Sequence, residues 1–149
     1  MNKIFEKLTN QLTETIDSSV ALALHNKNQE VEVIHLLWAL LSNTNSVLNQ
    51  LLNKMNVNKV AVELEAKSYA SKLPSVSSVT KESIKLSRNL LSSLQSAEGL
   101  MASFGDKFIA VDTWLISNLD SSVIKDVLGK YVDLKEAKKE LEAMRAGNT

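Results

Sequence analysis

The feature that most constrains the fold is an internal repeat, because the second half of the sequence aligns with the first at an offset of 78 positions. The aligned pairs combine helix-starting polar residues with apolar residues at helical spacing: Thr9 and Ser87, Leu12 and Leu90, Ile16 and Leu94, Leu22 and Leu100, Val31 and Ile109, Val33 and Val111, Leu37 and Leu115, and Leu41 and Leu119. A repeat of this length is typical of a supersecondary unit that buries its apolar face against its other copy. We therefore predict two similar bundles packed around a pseudo-twofold axis.

Within each copy, apolar residues recur every three or four positions, which predicts amphipathic helices. The segments cover residues 9–25, 33–41, 47–55 and 58–72 in the first copy, and a helix capped by Ser87, then 111–119, 123–128 and 133–145 in the second. Thr9 and Asp133 are suited to cap helices, and Asn56 is suited to a left-handed stop. The apolar positions of segment 58–72 are Val60, Ala61, Leu64 and Ala66. The predicted fold class is all-α: two pseudo-twofold-related four-helix repeats that form one compact helical domain.

A proline marks the clear boundary between the two copies. Pro74 disfavours helical geometry at Leu73, and a serine-rich stretch follows it. We predict a single domain over 1–149, with repeat one at about 1–73, a linker at about 74–80, repeat two at about 81–146 and the start of an exit linker at 147–149.

Composition and motifs argue against several function classes. Lys+Arg and Asp+Glu number 17 each, so no net field attracts nucleic acid or an anionic membrane. The sequence has no cysteine, no apolar run of the ~20 residues that cross a bilayer, and no G-x-x-x-x-G-K-[ST] phosphate loop. His25 and His35 lack companions at metal-ligand spacing, and His35 is expected to pack inside an apolar helix. These observations predict a cytoplasmic domain that is not an enzyme and has no cofactor or metal of its own.

The order and spacing of these segments resemble the double Clp N-terminal repeat found at the front of AAA+ unfoldases. That family follows a capped helix with I-x-P-E-H-L-L-x-A-L, and residues 31–40 read V-E-V-I-H-L-L-W-A-L. Residues 105–115, G-D-K-F-I-A-V-D-T-W-L, are similar to the family's G-D-x-[YF]-I-x-x-E-x-L-L. Leu73-Pro74 matches the family's L-P between repeats, and residues 144–147, M-R-A-G, resemble its terminal R-G-G. Residues 6–9, E-K-L-T, resemble the ClpB branch more than the ClpC or ClpA branches.

The chain departs from the family pattern in both copies. Val33 and Ile34 replace Pro and Glu in the first copy, and Asp112 and Thr113 replace Glu and His in the second. In ClpC-like members, acidic groups in both repeats recognise phosphorylated arginine. Because Ile34 removes one of these acidic groups, the departures weaken a ClpC-like interpretation.

The resemblance implies a peptide-binding groove between the repeats, with an apolar lining and a polar edge. By motif position the polar candidates are Thr9, Ser87, Asp106 and Asp112, and the apolar candidates are Leu90, Leu91, Leu94 and Trp114. The polar candidates also have structural explanations as helix caps or turn residues, and a cap contributes about 1 kcal/mol. Core packing equally explains Leu90, Leu94 and Trp114. Leu91 aligns with Thr13 and so breaks the repeat, which makes it the better candidate for exposed apolar surface.

The resemblance implies the N-terminal substrate-recognition domain of a ClpB-type disaggregase. Such a domain would bind unfolded or aggregated polypeptide and pass it to ATP-driven rings that are absent from this chain. ATP and Mg are expected only in those AAA+ modules, the parent is expected to be a hexamer, and the isolated domain is expected to be a monomer. The alternative is an adaptor-protein docking domain of a ClpA/ClpC-type unfoldase, which would bind one folded partner. A third interpretation is a stand-alone helical scaffold.

Overall fold

A computed structural model describes residues 3–147 as two similar helical units joined by an irregular segment. Repeat one contains α1 (Asn10–His25), α2 (Val33–Ser42), α3 (Val47–Lys54) and α4 (Lys59–Ser71), and repeat two contains α5 (Arg88–Phe104), α6 (Val111–Asn118), α7 (Ser122–Val127) and α8 (Leu134–Gly147). Short 3-10 helices cover Lys3–Lys7 and Leu128–Lys130. The prediction of an all-α fold built from two four-helix repeats is confirmed. The predicted exit linker falls mostly outside the described residues, since α8 includes Gly147.

Side-chain caps start helices at the positions that the sequence indicates. Thr9 Oγ1 accepts a hydrogen bond from the backbone N–H three residues further on at 3.2 Å, and Ser87 Oγ does the same at 3.0 Å. Asp133 Oδ1 accepts from the N–H groups two and three residues further on, at 2.9 and 3.3 Å. Each cap satisfies backbone donors that the first helical turn would otherwise leave without a partner.

Two short backbone pairings relate the repeats by a pseudo-twofold axis. Strands β1 (Glu30–Val31) and β2 (Lys85–Leu86) run parallel, with Val31 opposite Leu86, and an isolated parallel bridge joins Leu8 to Ile109. By the offset of 78, Leu8 corresponds to Leu86 and Val31 corresponds to Ile109. Each pairing is therefore a copy of the other in which the two repeats have exchanged places. The N–H after Leu8 donates to the Ile109 carbonyl at 3.0 Å, and the N–H after Leu86 donates to the Val31 carbonyl at 2.9 Å. Helical periodicity does not indicate these strands, because each covers only two residues.

The offset between the repeats changes after α6. Ser46 precedes α3 and Asn58 caps α4, and their counterparts Ser121 and Asp133 lie 75 positions further on rather than 78. The reason is that α6 and the turn after it are together three residues shorter than α2 and its turn. A single offset therefore aligns only the first two helices of each repeat.

Helix α4 packs through a different face from the one predicted. Val62, Ala66 and Ala70 are fully buried, whereas Val60 and Leu64 are 61% and 60% exposed. The buried residues follow four-residue spacing, and two of them are alanines, which allow close approach to α2. Ala66 is buried as predicted, whereas the prediction that Val60 and Leu64 also pack inward is wrong, because apolar residues occupy two adjacent faces of this helix.

Two ion pairs connect the repeats at the surface. Lys7 Nζ lies 2.6 Å from Glu98 Oε2, and Lys130 Nζ lies 3.0 Å from Glu65 Oε2. The hydrogen bond from Lys130 lowers the pKa of the Glu65 carboxyl below its usual value. Solvent screens exposed pairs of this kind, so they contribute little to the stability. The shared apolar core, to which both repeats contribute, therefore holds the halves together.

The loops after α1 and α5 end their helices with the same backbone geometry. Lys27 and Gly105 are equivalent by the offset of 78, and both have positive φ, at 57° and 76°. In each loop the next residue donates its N–H back into the helix, from Asn28 to the Ala23 carbonyl at 2.9 Å and from Asp106 to the Met101 carbonyl at 3.1 Å. Glycine adopts this left-handed geometry without steric cost, whereas the Cβ of lysine opposes it.

Replacing Lys27 with glycine is therefore expected to stabilise the protein by about 0.5–1 kcal/mol. Urea unfolding followed by circular dichroism measures the change. Lys27→Ala is the control, since it removes the charge but keeps the Cβ in the left-handed region. Equal stability changes in the two variants would show that backbone strain at this position is not the cause.

Candidate functional site

An apolar groove opens within repeat two, between the end of α5, the end of α6 and the start of α8. We call it the repeat-two groove; its volume is about 580 Å³. Its apolar lining consists of Leu100, Phe104, Ile116, Leu119 and Leu134, and its polar lining of Ser117, Asp120, Lys125, Lys135, Lys138 and Glu142. Ile116 and Leu119 are buried, whereas Leu100, Phe104 and Leu134 are partly accessible. The groove can therefore accept an apolar group without rearrangement of the core.

The two repeats differ at this groove in the size of one side chain. Ile116 corresponds to Trp38 in repeat one by the offset of 78. Trp38 is partly buried and packs against the core. Isoleucine is smaller than tryptophan, and Ile116 forms part of the groove lining.

Two smaller clefts lie between the repeats and are related by the pseudo-twofold axis. One has a volume of about 180 Å³ and contacts α1, α2 and Val111; the other has a volume of about 250 Å³ and contacts α5, α6 and Val33. Their equivalent lining residues include Gln11 and Asn89, Glu14 and Ser92, Thr15 and Ser93, and Ser18 and Ser96. The more apolar surface thus lies inside repeat two rather than between the repeats, where the resemblance implies it.

Three of the predicted apolar site residues belong to the core. Leu90, Leu94 and Trp114 are each 0% exposed, so no ligand can contact their side chains in this conformation. The Trp114 indole N–H also has an internal partner, since it donates to Ser93 Oγ at 2.9 Å. Leu91 is half-buried and remains the accessible member of the predicted apolar set.

The predicted polar site residues have internal roles. Thr9 and Ser87 cap α1 and α5, and Ser87 is only 3% exposed. Asp112 Oδ1 accepts from the Thr113 N–H at 2.8 Å in the first turn of α6. None of the four predicted polar residues lines the repeat-two groove. Binding through Thr9 or Asp112, which are both partly accessible, stays a prediction.

Asp106 is engaged at one end of the repeat-two groove. Its Oδ2 lies 2.7 Å from Arg145 Nη2, and the Arg145 guanidinium carbon lies 4.1 Å above the centre of the Phe104 ring. Phe104 is itself a lining residue. The predicted substrate contact Asp106 therefore has a structural partner on α8.

Sequence reasoning missed the residues that line this groove and one exposed aromatic residue. Phe108 is 52% exposed and occupies the aromatic position of the G-D-x-[YF]-I motif. An apolar residue at a motif position with no helical packing partner is a signal of surface recognition. The Trp38–Ile116 difference was also visible in the aligned repeats, but only the structure shows that Ile116 lines a groove.

Across residues 3–147, no group of three His, Cys, Asp or Glu side chains is arranged to hold a metal ion. None of the helices in this part of the chain has the length and apolar character needed to cross a membrane.

The family model for the Clp repeat N-terminal domain matches residues 7–131. The chain belongs to the Clp N-terminal domain family. This Clp N-terminal domain is 55% identical over 143 residues to the chaperone protein ClpB of Wolinella succinogenes, covering 96% of this chain and 17% of that protein. It is 51% identical over 142 residues to ClpB of Helicobacter hepaticus, covering 95% of this chain and 16% of that protein. The chain thus spans about a sixth of the length of these ClpB relatives and corresponds to their N-terminal domain.

Solved Clp N-terminal domains share this fold at low sequence identity. The Hsp104 N-terminal domain from Candida albicans matches with a TM-score of 0.80 and 20% identity, over 93% of this chain and 91% of that one. A complex of the ClpV N-domain with a VipB peptide matches with a TM-score of 0.71 and 19% identity, over 92% of this chain and 86% of that one. The resemblance inferred from the sequence is confirmed, including its ClpB branch.

Proposed function

We propose that this chain is the substrate-recognition domain of a ClpB-type ATP-dependent disaggregase and binds unfolded or aggregated polypeptide through the repeat-two groove. The observation that carries the proposal is the groove itself, with its apolar lining and a volume of about 580 Å³. Ligand sites typically enclose about 300–1,000 Å³, so the groove is large enough for one or two apolar side chains of a peptide.

The chemistry of the groove suits clients of many sequences. Burial of apolar surface is non-directional, so an apolar lining accepts leucine, phenylalanine or methionine from unrelated polypeptides. Such groups are buried in folded proteins and exposed in unfolded ones. In the solved ClpV complex a domain of this fold binds a peptide, which supports the same class of ligand here.

The remaining parts of the proposal concern the longer protein. Bound polypeptide would pass to AAA+ rings that hold ATP and Mg, in a hexameric, cytoplasmic parent. The domain itself would contribute recognition and no catalysis.

Filling the groove tests the proposal directly. Ile116→Trp copies Trp38 of repeat one and is expected to weaken binding of reduced, carboxymethylated α-lactalbumin, a permanently unfolded protein, at least roughly tenfold, because one buried apolar anchor contributes about 1.5–3 kcal/mol. Calorimetric titration gives the affinity, and amide NMR shifts locate the contact. Because Ile116 is only 8% exposed, the larger ring is expected to lower the stability by about 1–3 kcal/mol.

Leu64→Ser is the matched control, since it removes an apolar side chain that is 60% exposed on α4, away from the groove. It should leave the affinity unchanged. Unchanged binding by Ile116→Trp, with amide shifts near Leu91 and Asp112, would refute the repeat-two groove and favour a site between the repeats. Stoichiometric binding of one folded protein, with no binding of unfolded α-lactalbumin, would favour the adaptor-docking alternative.

A further inference from the structure

Three side chains join the end of α8 to the loop after α5. The Asp106 carboxylate holds the Arg145 guanidinium at 2.7 Å, and that guanidinium stacks 4.1 Å above the Phe104 ring. Phe104 forms part of the wall of the repeat-two groove. The ion pair and the groove wall are therefore in direct contact through one arginine.

Repeat one joins the equivalent elements by different chemistry. Asn26 corresponds to Phe104 by the offset of 78, and Ala70 corresponds to Arg145 by the offset of 75 that applies after α6. Asn26 Nδ2 donates to the Ala70 carbonyl at 3.2 Å. Asn28, the counterpart of Asp106, is 2% exposed and donates to the Pro74 carbonyl at 3.1 Å. Repeat one thus uses neutral, partly buried hydrogen bonds, and the corresponding surface holds a smaller pocket of about 420 Å³ that is lined by Leu22, Ala39 and Ser42 and has no aromatic wall. Repeat two uses an ion pair whose side chains are 24% and 32% exposed, beside an open groove.

An exposed ion pair is weak and sensitive to salt, whereas a buried network is neither. An arginine stacked on an aromatic ring at an accessible site is held only weakly. The contact is therefore strong enough to favour one position of the Phe104 ring and weak enough to be released. This combination suits a movable groove wall.

We infer that Asp106 is a positioning residue: it holds Arg145 over Phe104 and thereby links occupancy of the repeat-two groove to the order of the last turn of α8. The inference rests on the proposed function, because it concerns the same groove. It assigns Asp106 a role through Arg145, in place of the direct substrate contact that the resemblance implies. Linkage is reciprocal, so a ligand that needs the Phe104 wall in place stabilises the end of α8, and an ordered α8 end strengthens binding.

The test uses the 149-residue chain, unfolded carboxymethylated α-lactalbumin as the ligand, and two readouts. Asp106→Asn is expected to weaken the affinity roughly three- to fivefold, the effect of losing one exposed ion pair. The Phe104 ring shields the Arg145 Nε–H, so in Asp106→Asn this resonance should move toward its unstacked position. Amide exchange in the last turn of α8 should also become faster. The affinities of the wild type and Asp106→Asn should converge as salt is raised, because salt screens the pair.

Two control variants make the test specific. Arg145→Lys keeps a cation beside both Asp106 and Phe104, so this variant should retain most of the wild-type affinity. Glu98→Gln breaks the Lys7–Glu98 ion pair, whose side chains are 48% and 32% exposed and do not line the groove, and should change neither readout.

The outcomes separate this inference from the proposed function. Loss of binding in Asp106→Asn with unchanged Arg145 resonance and α8 exchange would overturn the inference, since Asp106 would then contact the ligand directly. If the wild type gave no amide shifts at the groove, the proposed function would fail and the linkage with it. Changes in the Arg145 resonance and α8 exchange would still report the contact itself.

Discussion

Trp114→Ala is expected to lower the free energy of unfolding by about 3–5 kcal/mol. The indole is fully buried, and its N–H donates to Ser93 Oγ at 2.9 Å, so the truncation leaves a large cavity and a hydroxyl without its donor. Domains of this size have about 5–15 kcal/mol of stability, so the variant would lie close to the unfolding threshold. Urea unfolding monitored by circular dichroism measures the loss.

Ser93→Ala separates the hydrogen bond from the packing. It removes the acceptor of the indole N–H, together with the hydrogen bond that the Ser93 hydroxyl donates to the Leu90 carbonyl at 2.6 Å, and should cost about 1–3 kcal/mol. If Trp114 were instead a ligand-contacting residue at the surface, Trp114→Ala would abolish binding with little loss of stability. That result would contradict the core position and restore the role implied by the resemblance.

Acidification from pH 7 to pH 4 is expected to remove roughly 3 kcal/mol of stability through His35 alone. Burial lowers the pKa of the imidazole from 6.5 to about 4. Its Nδ1 accepts from the Glu32 N–H at 2.8 Å, and its Nε2 lies 2.8 Å from Asn28 Oδ1, an arrangement that fits a neutral ring with the proton on Nε2. The unfolded chain takes up a proton as the pH falls below 6.5, whereas the folded chain takes it up only near pH 4. Stability is therefore complete above pH 6.5 and declines as the pH falls toward 4.

His35→Gln is the reference for this pH dependence. Its side chain keeps a donor near Asn28 but has no group that titrates, while His25 and all carboxylates stay in place. The difference in unfolding free energy between the two proteins, measured by urea titration at each pH, isolates the histidine. A difference that does not vary between pH 7 and pH 4 would show that the folded protein protonates His35 at its ordinary pKa.

The two repeats keep one backbone plan and have diverged at a few side chains. Trp38 against Ile116, and Asn26 against Phe104, are differences at the repeat-two groove, which is larger and has a more apolar lining than the pocket of about 420 Å³ at the corresponding surface of repeat one. The core positions changed far less, as the pairs Leu12 and Leu90 or Leu37 and Leu115 show. The proposed recognition surface therefore lies where the side chains of the two repeats differ, whereas the core that stabilises the fold lies where they are alike.

The sequence alone was sufficient for the repeat, the helices, their caps and the family. These features depend on residues close in the chain, such as Thr9 and Ser87 with the first turns that they cap, or on the regular spacing of apolar residues. Local geometry determines them, so they can be predicted without the tertiary structure.

Only the tertiary structure decided which apolar residues are accessible and where the space lies. Leu94 and Ile116 are both apolar residues on amphipathic helices, yet the first is fully buried and the second lies at the floor of a groove. The contact between Asp106 and Arg145 joins residues far apart in the chain. Helical periodicity defines a face but not the distance to its neighbour, and an unfilled volume depends on the packing of several helices at once.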